Sequence, residues 1–233
     1  MPRFHLPALD PLVLTGEEAH HCRDVLRLQP GDELEVFDGR GHAVHCRIES
    51  LTKREVRLTS LHRSTTPHLP VRLTLAAAII KKNMDFVVQK ATELGVAAIV
   101  PLVTDLTIAR ADKASRWTEI ALEACKQCGN NWLPEISPAR PLADFLRAPG
   151  EHDLKLVAAL QPGALPAKNV LRTARSVCVL IGPEGDFTPA EYAAIDAAGF
   201  QPITLGPLVL RADTAALYTL SVVHHELVTH IGV

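Results

Sequence analysis

The sequence has no apolar run approaching the roughly 18 to 20 residues a membrane-spanning helix needs, and Met1-Pro2-Arg3-Phe4-His5 lacks the apolar stretch of a secretory signal. The expected compartment is therefore the cytoplasm, with no membrane partner. Cysteine is sparse, five residues at 22, 46, 125, 128 and 178. That odd, scattered set excludes the dense even framework of a small secreted protein and reads as reduced thiols. An excess of charge of one sign is also missing. Lys and Arg number 24 against 26 Asp and Glu, a net charge of -2, so nothing global announces a polyanionic partner, and any such binding must rest on where basic residues sit.

Several chemical signatures are absent too. No G-x-G-x-x-G or Walker-type loop occurs, since Gly39-Arg40-Gly41 lacks its third glycine, and no nucleophile-elbow serine is present. Cys125-Lys126-Gln127-Cys128 has the spacing of half a zinc site, but no second pair follows and it lies in a helical pattern. His224-His225-Glu226 nearly imitates a metalloprotease helix, yet Thr229 stands where that motif needs histidine, and His230 falls on another face. His20-His21-Cys22 reads as a solvated turn or helix start. No metal site is expected.

What is present is ample apolar content, 47% of 233 residues, enough for one large domain or two small ones. Leu34 and Val36 before Asp38-Gly39, with Val44, Cys46 and Ile48 after it, alternate as a hairpin does. A further β segment over residues 55–61 completes a small β module. Arg23, Arg27, Arg40, Arg47, Lys53, Arg54, Arg57 and Arg63 recur in this region among as many acidic residues. It is either an ordinary solvated surface or an RNA-docking face. Residues 64–70 carry two prolines and no apolar period, which places a boundary between domains 1–68 and 69–233. Beyond it, strand 71–80, helix 83–94 closed by Gly95, and strand 97–102 form a βαβ unit. Helix 117–128 stopped by Gly129 and strands 154–160 and 176–181 extend an α/β domain with a mainly parallel sheet.

The strand ending at Ile181 runs straight into Gly182-Pro183-Glu184-Gly185-Asp186-Phe187, and Thr188-Pro189-Ala190-Glu191 then opens a helix with a capping box. Glycines at the carboxyl end of a parallel strand let a ligand approach the backbone where open α/β sheets bind ligands. Gly199 ends that helix. A short strand over 202–205 leads into Gly206-Pro207-Leu208-Val209-Leu210-Arg211, and Ala212-Asp213-Thr214-Ala215 starts a last helix reaching about Thr229. Its free N–H groups favour an anion or an electron-rich group. The two Gly-Pro loops and this helix start are read as one pocket, although by spacing alone the glycines also admit a purely structural role.

At these residues the chain resembles the RsmE family of 16S rRNA uridine N3-methyltransferases, within the SPOUT superfamily, nearly end to end. The likeness is carried by Arg3-Phe4, His21, Val25-Leu26-Arg27 before Gly31-Asp32, Gln89-Lys90-Ala91-Thr92-Glu93-Leu94-Gly95 with Pro101, Arg116-Trp117 and Glu123-Ala124. It continues through residues 180–187, Leu205-Gly206, Leu210-Arg211 and Thr214-Ala215. Departures are Pro207 where a basic residue is frequent, Asp213 where Glu is usual, and Asn130 and Leu106 where Arg is frequent. The resemblance implies a PUA-like RNA-binding β-barrel, a C-terminal α/β trefoil-knot methyltransferase domain, a homodimer, and ribosomal RNA or the small ribosomal subunit as partner. A knot is licensed by the family alone, since unrelated folds almost never contain one.

It further implies S-adenosyl-L-methionine held by Leu160, Leu180, Ile181, Gly182, Pro183, Glu184, Gly185, Leu205, Gly206, Leu208, Leu210, Thr214 and Ala215, with backbone of Leu205, Leu208 and Leu210 on its adenine. Methyl transfer to uridine N3 is then an in-line displacement governed by positioning. Arg211 is the expected stabiliser of the charge that spreads over the base when N3 loses its proton. Asp213 is either the proton acceptor or a helix N-cap, and Glu184 is either a ligand contact or part of the loop's structure. An unpaired or flipped-out base would have its phosphates held by Arg3, Arg23 and Arg27, with His21 and Lys90 also on the RNA side. Arg27 is alternatively a partner of Asp24. The rival readings are a nucleotide-cofactor enzyme of ordinary doubly wound topology and a non-catalytic RNA-binding protein.

Overall fold

A computed structural model of the chain describes residues 1–108 and 111–228. These divide into two compact units: Met1–His68 with Cys125–Leu133, and Leu69–Ala124 with Pro134–Val233.

In the first unit, β1 (Arg3–His5) and β2 (Val13–Thr15) lead into α1 (Gly16–His20), which continues as one π-helical turn over His21–Val25. Three longer strands follow, β3 (Glu33–Phe37), β4 (His42–Leu51) and β5 (Glu55–Thr65), and the sheet order is β1-β3-β4-β5-β2. Alternation decides what the sheet buries. Leu34 and Val36 of β3 point inward with Val44, Cys46 and Ile48 of β4 and with Phe4, Leu14 and Val56, all nearly inaccessible. The β3–β4 connection differs from a two-residue Asp-Gly turn. It spans four residues, because Asp38 accepts from the backbone N–H of both Arg40 (2.7 Å) and His42 (3.1 Å) and so wraps a longer loop. Strand β5 also runs on through Thr65, so Ser64 and Thr65 pair with β4 instead of opening a linker. Residues Cys125–Leu133 group with this unit, which a division at residue 68 alone does not include. Arg3 donates to the carbonyl of Cys125, and Asn131 donates to Thr66 Oγ1, tying that segment in.

The second unit runs β6 (Arg72–Ala78), α2 (Met84–Glu93), β7 (Ala98–Val103), α3 (Ala114–Cys128), β8 (Glu135–Ile136), β9 (Arg140–Pro141) and α4 (Leu142–Arg147). It continues through β10 (Leu154–Ala158), β11 (Leu165–Pro166), α5 (Ala167–Val170), β12 (Ser176–Ile181), α6 (Pro189–Ala197), β13 (Gln201–Thr204) and α7 (Ala212–Leu227). Its sheet is parallel, in the order β11-β13-β10-β12-β6-β7-β8 with β9 also on β7. Covered on both faces, β6 and β12 are almost wholly buried apolar runs. Each such Leu or Val side chain contributes on the order of 1.5–3 kcal/mol. The α6 start has both halves of its capping box, Thr188 and Glu191, with Pro189 in the first turn.

Strand order fixes where a ligand can sit. The chain leaves β12, passes β10 and returns as β13 on the far side, so β13, β10 and β12 are neighbours whose carboxyl ends are Thr204, Ala158 and Ile181. At such a reversal the loops part and leave a crevice.

Candidate active site

Three loops, residues 159–164, 182–188 and 205–211, leave these adjacent strand ends and, with the first turn of α7, enclose a cavity of about 620 Å³. That is within the size range of small-molecule sites. The walls are mostly apolar: Ala158, Ala159, Leu160 and Ala164 on one side, Ile181, Gly182 and Pro183 on another, and Leu205 through Leu210 closing it. Leu208 and Val209 are 75% and 76% exposed, a large exposed apolar area at the cavity wall. The backbone N–H groups of Leu208 and Leu210 bond to no other described residue, which leaves them to a ligand's acceptors. Gly206 has φ +121 with open space where a Cβ would be, so a side chain there is opposed by backbone strain and not by crowding. At Gly182 the reverse holds, since a Cβ would meet the Phe187 ring at 3.0 Å.

Most residues anticipated at the site line this cavity: Leu160, Ile181, Gly182, Pro183, Glu184, Leu205, Gly206, Leu208, Leu210, Arg211 and Ala215. Others do not. Leu180 points to the opposite face of β12 and is fully buried among Cys178, Phe187 and Phe200, as strand alternation requires. Gly185 lies against Leu106. Thr214 sits in the first turn of α7, where its N–H donates to Asp213 Oδ1 at 2.8 Å. Residues the sequence reading left out include Gln161, Asp186, Thr204 and Ala212. The first belongs to the loop after β10, whose place between β12 and β13 only the sheet order reveals.

The carboxylates around the cavity are committed inside the protein. Glu184 Oε1 accepts from the backbone N–H of Lys81 at 2.9 Å. Asp186, at φ +62, accepts from the Tyr192 hydroxyl at 2.8 Å, and burial followed by that bond pushes the Tyr192 phenol above its ordinary pKa. Asp213 accepts from Asn83 Nδ2 at 2.7 Å. This bond, the largest cause, with the Thr214 N–H and the nearby Arg211, holds its carboxyl below the usual range. A carboxylate so stabilised is a weak base, and it is not an N-cap either: the cap residue is Arg211, because the helix begins at Ala212. The Arg211 side chain is 73% exposed at the cavity wall, its Nε 3.9 Å from Asp213 Oδ1.

The residues anticipated to face RNA fall apart. Arg3 is turned inward, 10% exposed, donating from Nε to Glu35 (2.6 Å), from Nη1 to the carbonyl of Cys125 (2.7 Å) and from Nη2 to Asn131, and it stacks on Phe37. Arg23 bonds to Asp24 and to the carbonyls of Thr52 and Lys53. Asp24 therefore pairs with Arg23 and His20, not with Arg27. Lys90 pairs with Glu93 at 2.8 Å, and His21 packs edge-on to Phe4. Arg27 is exposed at φ +55 beside exposed Val25 and Leu26, and its side chain has no ion partner among the described residues. Buried Cys125 has its thiol pushed up to about 12, the opposite of a reactive thiolate. No group of three potential metal ligands occurs among the described residues. Thr229 and His230 lie outside them.

A parallel α/β domain with an apolar cavity of small-molecule size at three neighbouring strand ends, joined in sequence to a small β module, defines a ligand-binding protein of the open-sheet class. Residues 67–224 match the family described as RNA methyltransferase domain, and residues 14–59 match RNA methyltransferase PUA domain. The chain belongs to this family of RNA methyltransferases, with a PUA-like β unit before a SPOUT-type α/β domain. Among its relatives, ribosomal RNA small subunit methyltransferase E of Synechocystis is 33% identical over 90% of this chain and 71% of that protein. The Bacillus subtilis protein of the same name is 28% identical over 91% and 89%. The crystal structure of ribosomal RNA small subunit methyltransferase E from Neisseria gonorrhoeae, bound to S-adenosyl methionine, superposes with a TM-score of 0.90 at 33% identity, covering 97% of this chain and 98% of that one.

Proposed function

We propose that this chain binds S-adenosylmethionine in the cavity at the ends of β10, β12 and β13 and methylates N3 of a uridine in 16S ribosomal RNA of the small subunit. The observation that carries the reading is the cavity itself: of nucleoside size, apolar, bordered by open backbone N–H groups at Leu208 and Leu210 and by Gly206 in a conformation that favours glycine. The relatives' names and the bound S-adenosyl methionine of the Neisseria protein support it.

The lining suits that cofactor. An adenine fits the apolar slot made by the 205–210 segment and Leu160, and Gly182 lets the neighbouring loop pass close. When bound, the cofactor supplies an electrophilic methyl group. The protein's part is to hold the uracil edge in line with it and to exclude water. Arg211 stabilises the negative charge that appears on the uracil carbonyls as N3 loses its proton. Asp213 in this reading orients: it is bound to Asn83 and lies 3.9 Å from Arg211, and its depressed pKa disfavours it as proton acceptor. Arg27, exposed on the β unit, contacts RNA phosphate. The chain works as a cytoplasmic homodimer with a trefoil-knotted second unit. Exposed Phe86 and Tyr218, on the packed helices α2 and α7, support self-association, and no described helix is long and apolar enough to cross a membrane.

The test is incubation of purified protein with ribosomal RNA and S-adenosylmethionine carrying a labelled methyl group, followed by nucleoside analysis. The expected product is 3-methyluridine. Label appearing only in another nucleoside would refute the assigned position.

A further inference from the structure

The row of parallel strand ends does not stop at the cavity. Next to β12 lies β6, in register with Ala77 opposite Ile181, and its loop, residues 79–83, stands beside the 182–188 loop. The loop is fixed at two points to the residues around the cavity. The Lys81 N–H donates to Glu184 Oε1 at 2.9 Å, and Asn83 Nδ2 donates to Asp213 Oδ2 at 2.7 Å. Asn83 is held left-handed at φ +67, one of three non-glycine residues with positive φ among the described residues; another, Asp186, is in the cavity wall. Such strain persists only where the surroundings enforce it, and it gathers at functional sites.

What this fixed loop presents is a pair of cations. Lys81 and Lys82 are both exposed and neither has an ion partner among the described residues. The acidic groups closest in the hydrogen-bond network, Glu184 and Asp213, are occupied by the loop's own N–H donors. With Arg211, also largely exposed, they make a positive stretch in a chain whose net charge is -2. Exposed lysines on a fixed loop beside the cavity match the charge of a nucleic-acid backbone.

We propose that Lys81 and Lys82 bind the RNA phosphodiester groups flanking the nucleotide to be methylated, with Glu184 and Asp213 as the positioning residues that hold their loop. This rests on the methyltransferase reading above and assigns the part of the substrate seen by this loop. Each phosphate contact to a single strand contributes about 0.7 to the slope of log affinity against log salt.

The experiment is a salt titration of the purified chain binding to a short single-stranded oligouridylate, alongside S-adenosylmethionine binding. The K81A/K82A variant is expected to lose affinity on the order of tenfold, with a slope shallower by about 1.4 and cofactor affinity unchanged. K81R/K82R is expected to restore the slope, because charge and not shape is at issue. Asn83→Gly keeps the backbone conformation and removes the bond to Asp213, so affinity should fall with the slope retained. An unchanged slope in K81A/K82A, or failure of the arginine variant to restore it, overturns the proposal. A wild-type protein that shows the lysine-dependent slope yet takes up no S-adenosylmethionine upholds this contact and removes the methyl-transfer reading instead.

Discussion

Four arginines of the first unit and the cations around the cavity of the second meet opposite fates. Arg3, Arg23, Arg47 and Arg57 each pair with a carboxylate of the same unit, Glu35, Asp24, Glu33 and Glu55. Around the cavity Glu184 and Asp213 accept from N–H donors and Asp186 from the Tyr192 hydroxyl, while Lys81, Lys82 and Arg211 stay exposed. A count of basic residues would favour the first unit as the RNA surface. Pairing sets these four arginines aside, because a cation already neutralised by a carboxylate releases few counterions on meeting a phosphate. Arg27, Arg40, Lys53, Arg54 and Arg63 of the first unit are exposed with no ion partner among the described residues and stay available to RNA, as do the cations at the edge of the cavity.

The sharpest way to test that contrast is to remove the exposed arginine at the wall. Arg211→Ala should lower methyl transfer by about 10²–10³-fold, as losing one stabilising donor does, with cofactor affinity within a few-fold in a calorimetric titration. Full activity would show that the exposed charge at the cavity wall is not a catalytic one. Arg3→Ala probes the other side. Removing a nearly buried partner of Glu35, Cys125 and Asn131 should cost about 2–3 kcal/mol of stability, read by denaturant unfolding, while the salt slope of RNA binding stays as in wild type. A changed slope with unchanged stability would break the comparison.

Smaller effects sharpen it. Gly206→Ala places a side chain at φ +121, which should cost about 1–2 kcal/mol and weaken cofactor uptake by roughly tenfold, with the first unit's protection from hydrogen exchange unaltered. Least of all comes pH. Burial holds His5 in the first unit and His152 in the second below the ordinary 6.5. The unfolded chain therefore binds their protons first, so their contribution to stability is complete above about pH 6.5 and is lost as pH falls below it. The unfolding midpoint should drop on acidification below neutrality, and His152→Gln should flatten that drop. A midpoint that rises instead would reverse the assignment.

The strongly patterned parts were legible from sequence. Residues 176–181 form the strand expected, Thr188 and Glu191 form their capping box, and the α2 and β7 boundaries fall within one to two residues of expectation. Short elements such as β8, β9 and β11, two residues each, carry no period to read. The site was half legible, because the Gly-Pro loops announce themselves while the loop after β10 joins the cavity only through strand order. Side-chain roles were least legible. Nothing local in Arg3-Phe4 tells that the guanidinium reaches Cys125 and Asn131, more than 100 positions away, and nothing in Lys81-Lys82-Asn83 tells that Asn83 bonds to Asp213.

The most direct test of the account is calorimetric titration of the purified chain with S-adenosylmethionine and, separately, with NAD. The account predicts saturable uptake of one S-adenosylmethionine per chain, weakened in Gly206→Ala, and no heat with NAD. A folded protein that binds NAD, or that leaves S-adenosylmethionine untouched, would contradict it.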